Sequence, residues 1–217
     1  MNAKLDQALQ RLTRILPLKQ RQNESAADVR ELHREILRSF VSRGRMPTRA
    51  EMAHCTGRPE HALQALRASE MVVFSADGEP LGAYPFTMEA REYKISVNGH
   101  QVHAMCALDA LAVSPMFGMP TQIESRCRIT GAAVSIRQLG TTIENAAEAG
   151  ELHLGIAWGA AVAGASCANS LCMQMIFLRD GAVARQWLAQ DGANREIFSL
   201  TEAVEFATRL FVPLMSD

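Results

Sequence analysis

The stretch Tyr93-Lys-Ile-Ser-Val-Asn-Gly-His-Gln-Val-His-Ala-Met-Cys-Ala-Leu-Asp109 decides the fold class. Tyr93, Ile95 and Val97 alternate with polar residues, the pattern of a half-buried strand. Asn98-Gly99 follows at once, a strong hairpin signal because the tight turn needs φ > 0 at both central positions. Val102 and Ala104 continue on a return strand. From Cys106 to Phe117 the pattern becomes helical, with Pro115 near the end to distort or stop it. A hairpin that runs directly into a helix predicts an α+β fold. Downstream, strands are expected at Gln122–Cys127, Ala133–Arg137, Leu152–Ala157 and Met173–Leu178. A helix at Ala182–Ala189, a short strand at Ile197–Ser199 and a last helix at Thr201–Leu210 complete the pattern.

Upstream the period is helical. Leu5, Leu9, Leu12 and Leu16 share one face and Pro17 ends that helix; Lys19 to Ser25 reads as a polar loop. Residues 26–43 carry a second stripe, Val29, Leu32, Ile36, Leu37 and Phe40, stopped by Gly44. Thr48 can cap a short helix through Cys55. Pro59 and Glu60 open another, with Leu63 and Leu66 facing inward. Met71–Phe74 and Leu81–Tyr84 then form a hairpin around Asp77-Gly78. Three helices and a hairpin resemble a winged helix. The expected organisation is therefore a helical, winged-helix-like module over residues 1–85, with residues 85–91 as linker. An α+β domain over residues 86–217 follows, with a mixed or antiparallel sheet and flanking helices.

Composition bounds the function. Hydrophobic residues make up 48% and charged residues 21% of the 217, enough apolar material for a core. The N-terminus is polar without an apolar signal core, and no run approaches the ~20 apolar residues of a membrane span. A soluble cytoplasmic protein without a membrane partner is expected. Residues 1–50 hold 11 Lys and Arg against 5 Asp and Glu, a weak hint of nucleic-acid contact that a solvated helix face explains better. The five cysteines, Cys55, Cys106, Cys127, Cys167 and Cys172, are an odd number, which disfavours a disulfide framework.

The chemistry-bearing residues converge on thiols. Cys106 and Asp109 stand three apart at a strand-to-helix junction, so both can face one pocket. The helix dipole eases ionisation of a thiol at that position, while an ionised Asp109 opposes it; a shared proton resolves the conflict. Cys167 and Cys172 are five apart, too far for the short knuckle of a structural zinc site, and no Cys or His follows them. Thiolates without imidazole partners suit soft metals. His103, three residues before Cys106, is a candidate base or a packing residue. There is no zinc-peptidase His-Glu-x-x-His, no phosphate-cradling glycine loop and no Gly-x-Ser-x-Gly elbow.

Three stretches together resemble the organomercurial lyase (alkylmercury lyase) family. They are His103-Ala-Met-Cys106-Ala-Leu-Asp109-Ala-Leu111, Ser125-Arg-Cys127 with Thr130-Gly131, and Leu171-Cys172-Met-Gln-Met-Ile-Phe177 ahead of Trp187. The resemblance runs roughly from residue 30 to residue 210. It implies a catalytic role for residues 86–217, with Cys106, Asp109 and Cys172 in the reaction and Cys127 in a structural, buried position. The resemblance also implies that mercury is bound by Cys106 and Cys172, with Asp109 a candidate third ligand. The implied reaction is protonolysis of a carbon–mercury bond to a hydrocarbon and Hg(II), with Asp109 shuttling the proton. No organic cofactor is implied; external thiols, or a mercuric-reductase-type acceptor, take the Hg(II). Met105, the Met-Gln-Met after Cys172, and Cys167 depart from the family pattern, which bears on substrate preference more than on reaction type.

Two other classes compete. A winged-helix regulator that senses soft metals explains the basic N-terminus and the free thiols but not Asp109. A non-catalytic soft-metal carrier binds Hg(II) stoichiometrically without turnover.

Overall fold

The computed structural model describes residues 2–162 and 164–216. Five helices come first: α1 (Ala3–Ile15), α2 (Leu18–Glu24), α3 (Ala27–Arg43), α4 (Arg49–Ala53) and α5 (Pro59–Ala68). Strands β1 (Val72–Phe74), β2 (Pro80–Ala83), β3 (Phe86–Thr87), β4 (Tyr93–Val97) and β5 (His100–Ala104) lead into α6 (Ala107–Phe117). Then come β6 (Pro120–Arg126), β7 (Ala133–Leu139), β8 (Thr142–Ile143), α7 (Ala146–Ala149) and β9 (His153–Ala157). The chain closes with β10 (Met175–Leu178), α8 (Gly181–Ala189), β11 (Arg195–Ser199) and α9 (Leu200–Phe211).

The strands form two sheets, one of eight strands in the order β1-β2-β3-β5-β4-β6-β7-β8 and one of three in the order β10-β9-β11. Every neighbouring pair is antiparallel. The expected alternation is visible in burial: Tyr93, Ile95 and Val97 point inward while Lys94 and Ser96 are exposed. The large sheet runs without a break through residue 85, because β2 pairs with β3 and β3 with β5. Gly82 lies so close to β3 that an added Cβ would sit 2.2 Å from the Phe86 carbonyl oxygen.

In the first half of the chain two stretches differ from the sequence expectation; further on, the strand expected from Met173 begins at Met175, after a 3-10 turn, and β8 and α7 were not expected. Residues 19–25 are not a loop: α2 buries Leu18 and Gln22, one turn apart. Its stripe is hidden in the sequence because one of the two buried residues is polar. Gln22 is satisfied by donating to the Leu214 carbonyl at 2.9 Å and to Nδ1 of His33 at 3.1 Å. The expected linker at 85–91 contains β3, too short to show a period. Its Phe86 stacks on Phe40 of α3, with ring centroids 4.9 Å apart.

Helix α6 is the centre of the molecule. Residues Ala107 to Ser114 are all buried, as befits a helix that is apolar all round. Pro115 removes one backbone donor, which would orphan the carbonyl of Leu111 four residues back. Gln138 of β7 fills that place, donating its Nε2 to Leu111 at 3.0 Å. Gly118, with φ of +64°, closes the helix. Helix α9 packs against α6, and α1 packs against α9. Asn2 bonds Glu202 at 2.7 Å, and Asp6 pairs with Arg209 at 2.8 Å, tying the first helix to the last.

Candidate active site

The first site element is the junction of β5 and α6. Cys106 takes an extended conformation and caps α6, its sulfur accepting the Asp109 amide N–H at 3.4 Å. A sulfur here replaces the side-chain oxygen usual at an N-cap. Asp109 stands one turn into the helix, on the same face. The second element is a pair of tight 3-10 turns, Cys167–Asn169 and Leu171–Gln174, which deliver Cys172 immediately before β10. The liganding atoms of Cys106, Asp109 and Cys172 lie within 4.8 Å of one another, the only such group among the described residues. Met175 adds a further sulfur, its Sδ 3.6 Å from Cys106 Sγ.

All three groups are buried, with at most 2% of their surface exposed. Burial sets their protonation. It pushes the Cys106 thiol up to about 12, against the help of a hydrogen bond with Cys172. Cys172 is raised well above the usual thiol range by its hydrogen bonds with Cys106 and Cys167, then by burial. Asp109 is pushed by burial up to about 7, opposed by Cys106 and by the positive charge of Arg91. Burial therefore outweighs the helix dipole that the sequence suggested would ease ionisation. The resting site is a pair of neutral thiols beside a carboxyl poised near neutrality. Oδ2 of Asp109 has no hydrogen-bond partner. A buried polar atom left unpaired is costly, and a ligand that reaches it relieves the cost.

Three residues that sequence reasoning missed hold the two elements together. Arg91 donates to the carbonyls of Met105 at 3.1 Å and Ala168 at 3.0 Å, bridging the Cys106 and Cys172 segments. Tyr84 accepts the Ala168 amide at 2.8 Å. Tyr93 donates to the Met175 carbonyl at 3.1 Å. These are the only two tyrosines in the chain, and both fasten the Cys172 segment. That scarcity, with both rings in otherwise apolar surroundings, was the available signal.

The other candidates lie elsewhere. His103 is half-buried and bonds the Arg91 carbonyl at 2.7 Å, outside the group of three. Cys127 is buried beyond the end of β6; burial raises its thiol pKa, but hydrogen bonds from Thr130, Ile129 and Arg179 outweigh it and leave the thiol below its usual value. Cys55 is half-buried beside α4. Cys167, outside the resemblance, is brought in: its Sγ is 3.5 Å from that of Cys172.

Comparison with known proteins identifies the family and the fold. The sequence model of the alkylmercury lyase family matches residues 86–212. An alkylmercury lyase from Staphylococcus epidermidis is 26% identical over 195 residues, covering 85% of this chain and 83% of that protein. Another, from Bacillus cereus, is 27% identical over 129 residues, and the match spans 59% of this chain and 58% of the relative's length. The solved mercury-bound form of MerB2 superimposes with a TM-score of 0.74 at 19% identity, covering 95% of this chain and 100% of that one. At that identity the likeness is one of fold. The family match covers more than half of the sequence, and this chain belongs to the alkylmercury lyase family.

Proposed function

We propose that this protein is an organomercurial lyase that cleaves carbon–mercury bonds by protonolysis. The observation that carries the reading is the buried group of two thiols and one carboxyl within 4.8 Å, the carboxyl titrating near 7. Mercury(II) is soft and prefers sulfur. A buried thiol gives up its proton only as a metal takes its place, and Asp109 is at hand to accept that proton. One cysteine displaces the substrate's departing ligand, which leaves with one thiol proton. The second cysteine then binds and its proton passes to Asp109. With two sulfurs on the metal, the carbon gains electron density. Asp109 delivers the proton to it, the carbon–mercury bond breaks, and the hydrocarbon departs. Hg(II) remains on Cys106 and Cys172 with Asp109 beside it. A carboxyl with a pKa near the working pH suits both halves of this transfer.

The reaction uses no organic cofactor. External thiols, or a reductase-type acceptor, remove Hg(II), consistent with detoxification in a reducing cytoplasm. No described helix is long and apolar enough to cross a membrane. The order α3, α4, α5 and the β1–β2 hairpin supports a winged-helix-like module within residues 1–85. Several of its arginines are neutralised by neighbouring carboxylates: Arg38 pairs with Glu31, Arg43 with Glu35 and Arg45 with Glu51, each at 2.8 Å. This favours a structural module without a nucleic-acid partner.

The test is a headspace assay for methane or benzene after methylmercury or phenylmercury is added with excess thiol. Catalytic hydrocarbon release is expected. Stoichiometric mercury binding with no hydrocarbon would identify a carrier instead.

A further inference from the structure

Cys167 has no part in the reaction above, yet its sulfur lies 3.5 Å from that of Cys172. The three reaction groups are closed off from solvent. Cys167 instead lines an open groove of about 540 Å³ together with Ile15, Glu70, Val162 and Ser170. Among the described residues, neither Cys106, Asp109 nor Cys172 lines that groove. Cys167 thus has the buried pair on one side and the groove on the other. The Ala168 amide on the Tyr84 oxygen and Arg91 on the Ala168 carbonyl hold its turn in place.

A lyase of this design has a release problem. Exchange of one thiolate for another requires the incoming sulfur to reach the centre under attack, so it depends on access. An ion held between Cys106 and Cys172 is buried, and a groove-lining sulfur beside that pair offers an external thiol a point of attack.

We propose that Cys167 is the exit ligand for Hg(II), a third thiol that draws the ion from the buried pair and presents it to an external thiol in the groove. The proposal rests on the lyase reading for the source of the ion. In the first step the Hg–S bond to Cys106 breaks and one to Cys167 forms. The proton lost by Cys167 passes to Cys106, which returns to its neutral thiol. Mercury stays in the +2 state. In the second step two external thiols replace Cys167 and Cys172 in turn, each giving its proton to the sulfur it displaces. Nothing is oxidised or reduced, and the site is restored for a new substrate.

The test loads the native protein, Cys167→Ser and Cys167→Ala with one equivalent of mercuric chloride. Glutathione is then added in excess, and the loss of mercury–thiolate absorbance is followed. Cys55→Ser serves as a control for removal of a cysteine remote from the site, and melting curves confirm that each variant is folded. Both Cys167 variants are expected to release Hg(II) at least roughly tenfold more slowly than the native protein, because exchange depends on access and Cys167, itself only 4% exposed, is the thiol of the cluster that borders the groove. Release at the native rate by either folded variant overturns the proposal. Mercuric ion is loaded directly, so this result does not depend on carbon–mercury cleavage. A headspace measurement on the native protein reports cleavage separately: no hydrocarbon overturns the lyase reading, whereas hydrocarbon with unaltered release overturns the exit ligand alone.

Discussion

The backbone N–H of Asp109 points at the sulfur of Cys106 at 3.4 Å, while the carboxylate Oδ2 of the same residue has no partner. One residue thus completes the helix cap with its main chain and leaves one side-chain oxygen uncommitted. The cap fixes the thiol, and the free oxygen is available for a proton or a metal. The Cys106–Asp109 pair is built to position, and Asp109 is destabilised by its position.

The thiols come first among the predictions. Cys106→Ser and Cys172→Ser should each abolish hydrocarbon release with the fold retained, because a single sulfur cannot supply both soft ligands. Cys127→Ser should lower stability more than turnover, since Cys127 lies outside the group of three. Headspace product and melting temperature on the same samples check all three. Substantial turnover by folded Cys106→Ser or Cys172→Ser removes that residue from the reaction.

Asp109→Asn should lose about 10²–10⁴-fold in product release, as removal of a positioned acid–base group does. It should also gain stability above pH 7. The folded-state pKa of Asp109 is raised from 3.8 to about 7, so the folded form binds more protons between those values. Native stability therefore falls as pH rises through that window, by up to about 4 kcal/mol. The amide escapes this cost. Melting temperatures at pH 5 and pH 8 test the point: the variant's advantage should appear at pH 8 and fade at pH 5. A lower melting temperature at pH 8 would assign the carboxylate a structural role.

His33 acts in the opposite sense. Burial lowers its pKa from 6.5 to about 4, so the unfolded chain takes up a proton first as pH falls. Its contribution to stability is intact above 6.5 and lost progressively toward 4, on the order of 3 kcal/mol in all. In the native protein Asp109 masks much of this loss. In Asp109→Asn it is exposed, and stability measured by urea unfolding should fall steeply from pH 6.5 to 4.5. A flat profile in that variant would show that His33 is solvated or protonated in the folded state.

Gly82→Ala should destabilise by roughly 1–3 kcal/mol or more, because the methyl group meets backbone rather than a movable side chain. The expected readout is a lower urea midpoint. An unchanged midpoint would mean that β2 and β3 separate freely.

Much of this was legible in the chain. The hairpin at Asn98-Gly99 and the thiol–carboxyl pair at 106 and 109 are local, set by turn chemistry and helical spacing. The Cys172 segment was legible only through its resemblance, because its 3-10 turns carry no hydrophobic period. Arg91, Tyr84 and Tyr93 escaped notice because they act through hydrogen bonds to backbone groups far away in sequence, two from Arg91 and one at each tyrosine. Cys167 was visible as a candidate thiol, but five residues of irregular chain do not predict whether two sulfurs meet.

The pairing of α1 with α9 has a consequence during synthesis. Leu5, Ala8 and Leu12 are buried in the finished protein, and α9 begins at Leu200. A ribosome adding roughly 5–20 residues per second completes that span on the order of 10–40 s after α1 emerges. Through that interval the first helix has a greasy stripe and no lasting seat for it. A chain cut short before α9 would leave that stripe without the helix it packs against.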